Sequence, residues 1–449
     1  MRGVSIRITR SHKQKGKQKI MKKNKTLMAS ALVFSGLAAL AGSGWAHASE
    51  SITTIEGLTT CLTTNNSTCV LGGDIAVNET VTIDIPQNTK TSLDLNGHKL
   101  YENENKELFI NNLGDLTILN SGTTIGSCDA GITVKDNGKL EISNGTFNDS
   151  VREDSNTDHT GNTSIKISGG VFNGSVNALD NGSLLDILGG TFNSTVSLDG
   201  KTANISDGTF NDDVYFNKGT ANILNGVFNG DVRCSGNDEI NGGVFKGTLF
   251  VNDPGSSLVI NGGTFNDINA IEYIEGSSLK ITDGKFTKGF SIGLENVSIT
   301  GGTFHNGTTE SEGWMSLILD HPDVQKYSIT GGTFLNTGDD GGVLMAIKTI
   351  TQPTLDNIQS LFAGGTVLDG TVIELADTEP YYSYIKKQKT DADGDIAVPD
   401  TGSVTKSGDE LKAIGGIIAG AVMLFTAGSF MVFKSRKELF RKKVGFNKK

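Results

Sequence analysis

A short pattern of apolar and small residues recurs ten times between residues 142 and 334. Each copy has an isoleucine, two variable residues, a glycine, one further residue and a phenylalanine, as in ILGGTF from Ile187 to Phe192. Successive phenylalanines are 17 to 30 residues apart, and ten ordered copies at such a period predict a solenoid in which each repeat adds one coil. The phenylalanines are Phe147, Phe172, Phe192, Phe210, Phe228, Phe245, Phe265, Phe286, Phe304 and Phe334.

The residues within each repeat favour short strands and tight turns. They are mostly β-branched or aromatic, with glycine, asparagine and aspartate between them, and long helical runs are absent from the repeats, which excludes helical solenoids. Neither a leucine ladder nor a six-residue period is present. Variable turns between fixed strands therefore predict an all-β chain folded as a right-handed parallel β-helix.

Stacking of the coils assigns a role to each repeated position. Isoleucine is expected to lie on isoleucine and phenylalanine on phenylalanine inside the coil, about 4.8 Å apart. The recurring glycine predicts a corner with positive φ or close backbone packing. An asparagine follows phenylalanine in six copies, which predicts a row of hydrogen-bonded amides, with a ligand-binding row as the alternative. These residues are Asn148, Asn173, Asn193, Asn211, Asn229 and Asn266.

The regions beside the repeats are predicted to close the solenoid. Residues 49–141 carry weaker copies and are interpreted as an N-terminal cap with the first coils, followed by the ten-copy domain 142–334. Cys61 and Cys69 are close in sequence and predict a disulfide in that cap, whereas Cys128 and Cys234 are interpreted as buried or free thiols. Residues 335–388 are expected to form a C-terminal cap and 389–412 a linker.

Charge is distributed very unevenly along the chain. Residues 1–48 contain ten basic and no acidic residues, and residues 402–449 contain ten basic and three acidic ones. Of the 39 basic and 50 acidic residues, 19 and 47 therefore remain for 49–401, a net charge of −28. So acidic a body repels phosphate backbones, which argues against a nucleic-acid partner.

The basic N-terminus has the features of an export signal. Residues 1–48 combine a lysine-rich start, an apolar run from Leu27 to Leu40 and small residues before the predicted cleavage between Ala48 and Ser49. An uncleaved membrane anchor is the alternative, although the run is shorter than a membrane span. Translation could start at Met1 or at Met21, since the signal pattern begins at Met21.

The C-terminus predicts a membrane anchor. Residues 413–433 form 21 residues without a charge, long enough as a helix to cross a bilayer, and the basic segment 434–449 follows. The positive-inside rule then places the tail in the cytoplasm and the body outside the cell. The predicted membrane contact is the segment 413–433.

A five-residue motif precedes this span: Val398, Pro399, Asp400, Thr401 and Gly402. With the span and basic tail it resembles the Leu-Pro-x-Thr-Gly sorting signal of wall-anchored bacterial surface proteins, with valine in place of leucine and a polar spacer. The resemblance implies that a sortase-type transpeptidase cuts the bond after Thr401 and passes its carbonyl to a cell-wall amine. Permanent single-pass anchoring is the alternative.

The body itself resembles the pectin-lyase-like β-helix domains of bacterial surface proteins, and its repeat is similar to that of anchored adhesin-type proteins. The same fold carries polysaccharide lyases, which use calcium-binding carboxylates and a basic residue, so the resemblance also raises enzymatic activity as an alternative. The body between residues 49 and 401 has two arginines, Arg152 and Arg233.

Asp213 and Asp231 are the best candidates for chemistry in the repeats. Both are third after a phenylalanine in adjacent copies, so they are predicted to lie about 5 Å apart, with Arg233 nearby. A solvated acidic turn is the favoured interpretation, and a calcium site or a catalytic pair are the alternatives. No catalytic residue and no cofactor are predicted. Trp314, Tyr327, Tyr381, Tyr382 and Tyr384 are expected to pack in the protein, with sugar stacking as the alternative.

The function predicted from these patterns is that of an exported, anchored β-helical stalk or adhesin. Its flank would contact host cells, neighbouring cells or glycans, and a long repetitive flank suits multivalent weak binding. The alternatives are a polysaccharide lyase or glycoside hydrolase on the same fold, and a structural component of the cell envelope.

Overall fold

A computed structural model shows a parallel β-solenoid, in which each coil of the chain contributes one strand to each of three sheets. The ten sequence repeats form ten successive coils, and three further coils precede them. The structure describes residues 51–154, 163–178, 184–199, 202–251, 253–288, 290–305, 317–320, 326–335, 343–349, 352–363, 367–368, 371–375 and 381–387.

We name the sheets after the residues that line their inner faces in the repeats. The isoleucine sheet contains Ser67–Val70, Lys90–Asp94, Asp115–Leu119, Lys139–Ile142, Ser164–Ile167, Leu184–Ile187, Thr202–Ile205, Thr220–Ile223, Asn237–Ile240, Ser257–Ile260 and Tyr327–Ile329. The phenylalanine sheet contains Ile75–Val77, Lys99–Glu102, Ser127–Cys128, Thr146–Phe147, Val171–Phe172, Thr191–Phe192, Thr209–Phe210, Val227–Phe228, Lys285–Phe286, Thr303–His305 and Thr333–Leu335.

The valine sheet completes each coil. It contains Val81–Ile85, Leu108–Asn112, Gly131–Val134, Val151–Glu153, Val176–Ala178, Val196–Leu198, Val214–Phe216, Val232–Cys234, Leu317–Asp320 and Val343–Thr349. Three longer strands run round a corner from one sheet into the next: Val244–Val251, Thr264–Ile281 and Phe290–Ile299. The parallel β-helix predicted from the repeats is therefore confirmed as an architecture.

Identical side chains lie in register inside the coil, as the repeat predicts. Phe147 pairs with Phe172 and Ile142 with Ile167, and the pattern continues along the array. The ten phenylalanine rings form one stack, with neighbouring centroids 4.6–5.1 Å apart and ring planes 3–13° from parallel. The rings are buried, so the stack is the centre of the hydrophobic core.

The recurring glycine satisfies both parts of its prediction. All ten copies have positive φ, between 98° and 142°. At Gly263, where φ is 109°, a Cβ atom would also lie 3.1 Å from two ring atoms of Phe265. The backbone therefore turns tightly beneath the ring two residues later, and a side chain at this position would displace that ring.

A short helix lies at the N-terminal end of the solenoid. Helix α1 (Ile55–Leu62) starts at Thr54, whose side chain accepts a hydrogen bond of 3.1 Å from the Gly57 amide. Leu58 and Leu62 are fully buried, because they pack onto the core of the first coils. A disulfide joins Cys61 at the end of the helix to Cys69 in the first strand, with Cα atoms 5.8 Å apart.

The C-terminal end departs from the parallel pattern. The strand Val343–Thr349 pairs antiparallel with Tyr381–Lys387, which also pairs antiparallel with Thr371–Leu375. Helix α2 (Leu355–Ser360) lies between these strands in sequence, and the carbonyl of Leu361 accepts a 2.7 Å hydrogen bond from the Ile329 amide. This hydrogen bond joins the segment after helix α2 to Tyr327–Ile329, the last strand of the isoleucine sheet.

The predicted export signal, the sorting motif, the span 413–433 and the basic tail lie outside the described residues and stay predictions. In the part of the chain that the structure describes, neither helix has the length and apolar composition needed to cross a membrane.

The acidic side chain of Asp238 points into the core. Asp238 is 2 % exposed and occupies the inward position that holds Ala221 in the preceding coil and Leu258 in the next. Its carboxylate accepts hydrogen bonds from the Ala221 amide (2.8 Å) and the Gly236 amide (3.2 Å). Burial nevertheless raises the pKa of Asp238 to about 6, because the charged form loses its hydration.

Asp238 makes stability depend on pH. Because its folded pKa lies above its ordinary value of 3.8, the unfolded chain ionises first and stability falls as pH rises from about 4 to about 6. We expect the free-energy difference between wild type and Asp238→Asn to shift by about 2 kcal/mol between pH 4.5 and pH 7, in favour of the variant at pH 7. Urea unfolding of both proteins at the two pH values measures this, and an unchanged difference would contradict it.

Candidate functional site

The acidic pair predicted from the repeats lies at the corner between the phenylalanine and valine sheets. Asp213 and Asp231 directly precede the strands Val214–Phe216 and Val232–Cys234, which pair in register. The Asp213 carboxylate accepts a 2.9 Å hydrogen bond from the backbone amide of Asp231. The Asp231 carboxylate in turn accepts a 3.0 Å hydrogen bond from the amide of Thr248. Each side chain therefore connects its own coil to the next one.

Asp213 has a second partner on the outer face of the valine sheet. The hydroxyl of Tyr215 donates a 3.0 Å hydrogen bond to the other oxygen of its carboxylate. Partial burial of the phenol, together with the negative charge of Asp213, raises the pKa of Tyr215 to about 12. The phenol thus remains a hydrogen-bond donor throughout the physiological pH range.

Arg233 lies between two aromatic rings on the outer face of the valine sheet. Its Cζ atom is 6.0 Å from the ring centroid of Tyr215 and 5.3 Å from that of Phe250, which are in the preceding and following coils. Both distances are within the range of cation–π attraction. The guanidinium is therefore held over flat apolar surfaces beside an acidic corner.

Sequence reasoning found the carboxylates and the arginine but not their aromatic neighbours. Tyr215, Arg233 and Phe250 are each one residue after a buried valine-sheet residue, namely Val214, Val232 and Leu249. That common position is a usable signal, because alternate residues of a strand face the same side. The sequence of this sheet varies more than that of the other two, which hides the shared position.

The chemistry available at this corner is hydrogen-bond acceptance. Both carboxylates already bind backbone amides of adjacent coils, so their role in the fold requires no metal. Among the described residues, no group of three or more histidine, cysteine, aspartate or glutamate side chains is arranged to hold a metal ion.

A substitution at this corner distinguishes connecting carboxylates from a metal site. We expect Asp213→Ala to lower the free energy of unfolding by about 1–3 kcal/mol, because the Asp231 amide and the Tyr215 hydroxyl lose their acceptor. Asp212→Ala is the control, since Asp212 is exposed and, among the described residues, accepts a hydrogen bond only from the amide of its neighbour Asp213. Thermal unfolding with and without calcium measures both effects. A calcium-dependent rise in melting temperature that Asp213→Ala abolishes would contradict the connecting role.

The predicted row of asparagine amides is confirmed over five coils. Asn173, Asn193, Asn211 and Asn229 each donate through Nδ2 to the asparagine of the preceding coil, at 2.7–2.8 Å. The row begins where Asn148 donates to Asp129 at 2.7 Å. Because each amide has both a donor and an acceptor, each asparagine in these five coils can bond to its neighbours in the row.

Two of the five other aromatic candidates are buried. Tyr327 and Tyr384 are 3 % and 2 % exposed, so their rings pack inside the protein as predicted. Tyr381 and Tyr382 lie in the strand Tyr381–Lys387, and Trp314 lies outside the described part.

The two free thiols are buried, as the sequence predicted. Burial raises the pKa of Cys128 to about 12 and that of Cys234 well above its ordinary value. The thiolate is the reactive form of cysteine, so neither side chain is suited to nucleophilic chemistry.

Comparison with known proteins adds no relative: no family model, no curated protein and no solved structure matches this chain. The parallel β-helix therefore rests on the structure itself.

Proposed function

We propose that the protein is an exported, surface-anchored β-helical stalk that acts as an adhesin. The observation that carries the proposal is the unbroken phenylalanine stack over all ten repeats, flanked in sequence by an export signal and an anchor signature. A single continuous core makes a stiff rod, because every coil packs on both of its neighbours. A stiff rod that is anchored at one end and exposes its outer surface is suited to making contacts at a distance from the cell.

The ends of the chain support the anchoring part of the proposal. Export would use residues 1–48, with cleavage between Ala48 and Ser49. A sortase-type transpeptidase would recognise Val398 to Gly402 and join Thr401 to the cell wall, with 413–433 in the membrane until cleavage. The acidic body would then lie outside the cell. We expect its β-helix to be right-handed, as predicted from the repeats.

The outer surface supports the contact part of the proposal. The asparagine row presents the same exposed amide group in successive coils, about 4.8 Å apart. Repetition of a weak polar contact favours an extended partner such as a glycan on a host or neighbouring cell. We propose that this activity is binding without catalysis and requires no cofactor.

Mutation of the sorting motif tests the anchoring. The full chain, produced in a wall-forming bacterium with a sortase-type enzyme, is expected to be covalently bound in the cell-wall fraction. Thr401→Ala should move the protein to the membrane fraction, because the substitution changes the residue whose carbonyl the transpeptidase would transfer. Ser403→Ala, just beyond the scissile bond, is the control and should leave wall attachment intact. Equal membrane retention of all three proteins would show permanent anchoring instead, and cytoplasmic retention would contradict export.

A second experiment tests the binding role. Cells that display the full chain are expected to bind members of a glycan array that matched cells without the chain do not bind. Depolymerisation of a uronan by the displaying cells would favour the lyase or hydrolase alternative. Absence of both activities, with ordered arrays of the chain on the cell surface, would favour a structural envelope component.

A further inference from the structure

One outer face of the solenoid lacks the charge that covers the rest of the body. We define the phenylalanine face as the four residues that follow the isoleucine in each of the ten copies, which leaves out the buried phenylalanine and the asparagine row after it. Of these 40 positions, two are acidic and one is basic. They are Asp207, Asp283 and Lys285. The body of residues 49–401 has a net charge of −28.

Exposed apolar side chains are concentrated on the same face. Among the described residues, six large hydrophobic side chains are exposed, and Leu188 (46 %), Leu224 (55 %) and Val244 (38 %) lie on the phenylalanine face. Ile125 (63 %) lies in the preceding coil, two residues before Ser127, which pairs with Thr146 on this face. Depletion of charge together with exposed apolar residues is the composition of a protein interface core.

The Leu188 and Leu224 side chains are not required by the coil itself. Equivalent positions in other copies hold Ser143, Ser168 and Ser206, which fit the same backbone. Leucine at this corner therefore adds apolar surface without an internal partner. That pattern is expected when the surface is covered by something outside the coil.

The face runs along all ten coils. Nine spacings of about 4.8 Å between them make it about 43 Å long.

We propose that the phenylalanine face binds the same face of a second copy of this chain. Two copies repel each other through their acidic surfaces, and this face is where that repulsion is absent. A second copy also brings the same length, the same coil spacing and the same surface of few charges with exposed leucines. The resulting dimer is an isologous pair of β-helices that buries Leu188 and Leu224.

Cysteine cross-linking of the full chain in the cells that produce it tests the dimer wherever the protein resides. Thr209→Cys places one thiol on the face, in the fourth of its ten copies, and Ser197→Cys places one on the outer face of the valine sheet in the preceding coil. Both native side chains are half-buried strand residues. The native free thiols are buried and the other pair is oxidised, so wild type is the blank. With a short bismaleimide, we expect a covalent dimer from Thr209→Cys and none from Ser197→Cys or wild type.

A second variant links the dimer to the apolar residues. Adding Leu188→Ser and Leu224→Ser, which copy the serine of other repeats, should lower the dimer yield from Thr209→Cys about tenfold while thermal unfolding stays unchanged. Equal yields from Thr209→Cys and Ser197→Cys would overturn the proposal. The proposal would also be overturned if folded Thr209→Cys protein gave no covalent dimer, or if its thiol were cross-linked to a different macromolecule.

Discussion

Replacing Phe210 with alanine is expected to lower the free energy of unfolding by about 3–5 kcal/mol. The Phe210 ring is buried between Phe192 and Phe228, with centroid distances of 4.8 and 4.7 Å. Removing it leaves a cavity that neither neighbour can fill, because each ring is held in its own coil. Chemical denaturation of wild type and variant, followed by circular dichroism, measures the difference.

Thr209→Ala is the matched control for this prediction. Thr209 precedes Phe210 in the same two-residue strand, and its side chain faces outward. Its loss is expected to cost less than about 1 kcal/mol, as for most surface substitutions. Similar losses for both variants would mean that the phenylalanine stack does not form the core of this fold.

Replacing Gly190 with alanine is expected to lower the free energy of unfolding by about 1–3 kcal/mol through backbone strain alone. Displacement of the Phe192 ring would lower it further. The Gly190 φ of 120° is one that residues with a side chain rarely adopt. A Cβ atom there would also lie 3.3 Å from the Gly170 carbonyl oxygen and 3.5 Å from the Phe192 ring. Thermal and urea unfolding measure the effect.

The adjacent glycine provides the control. Gly189 has no positive φ, and the equivalent position carries a side chain in four other copies, namely Asn144, Asp207, Asn225 and Asp283. Gly189→Ala is therefore expected to change stability by less than about 1 kcal/mol. A cost equal to that of Gly190→Ala would show that loss of glycine flexibility, and not the turn under the ring, explains the effect.

Most of the features predicted correctly from the sequence are those that repeat. The phenylalanine stack, the ten glycine corners and the asparagine row each follow from one rule, that equal positions in successive coils meet. The same rule predicts where the row ends: Lys246 replaces asparagine, and the Asn266 amide then donates to the Lys246 backbone carbonyl, at 3.5 Å, instead of to an asparagine side chain.

The features that sequence reasoning missed are single departures from the repeat. Asp238 lies in the segment NDEI where two earlier copies read TANI, and only the strand register shows that its side chain points inward. The antiparallel strands after Val343 have no repeated counterpart, so no stacking rule applies to them. The contacts of Arg233 with Tyr215 and Phe250 depend on side-chain directions on a variable sheet.

Disulfide trapping between exposed asparagine positions tests most directly whether successive repeats lie on one another. Asn193 and Asn211 are joined by a side-chain hydrogen bond across adjacent coils, and paired parallel strands are about 4.8 Å apart, which a disulfide can span. Mild oxidation of the double variant Asn193→Cys/Asn211→Cys should give an intrachain disulfide in nearly all molecules. The pair Asn193→Cys/Asn229→Cys, two coils apart, should remain reduced. Absence of the first bond, or equal formation of both, would contradict the stacked coil.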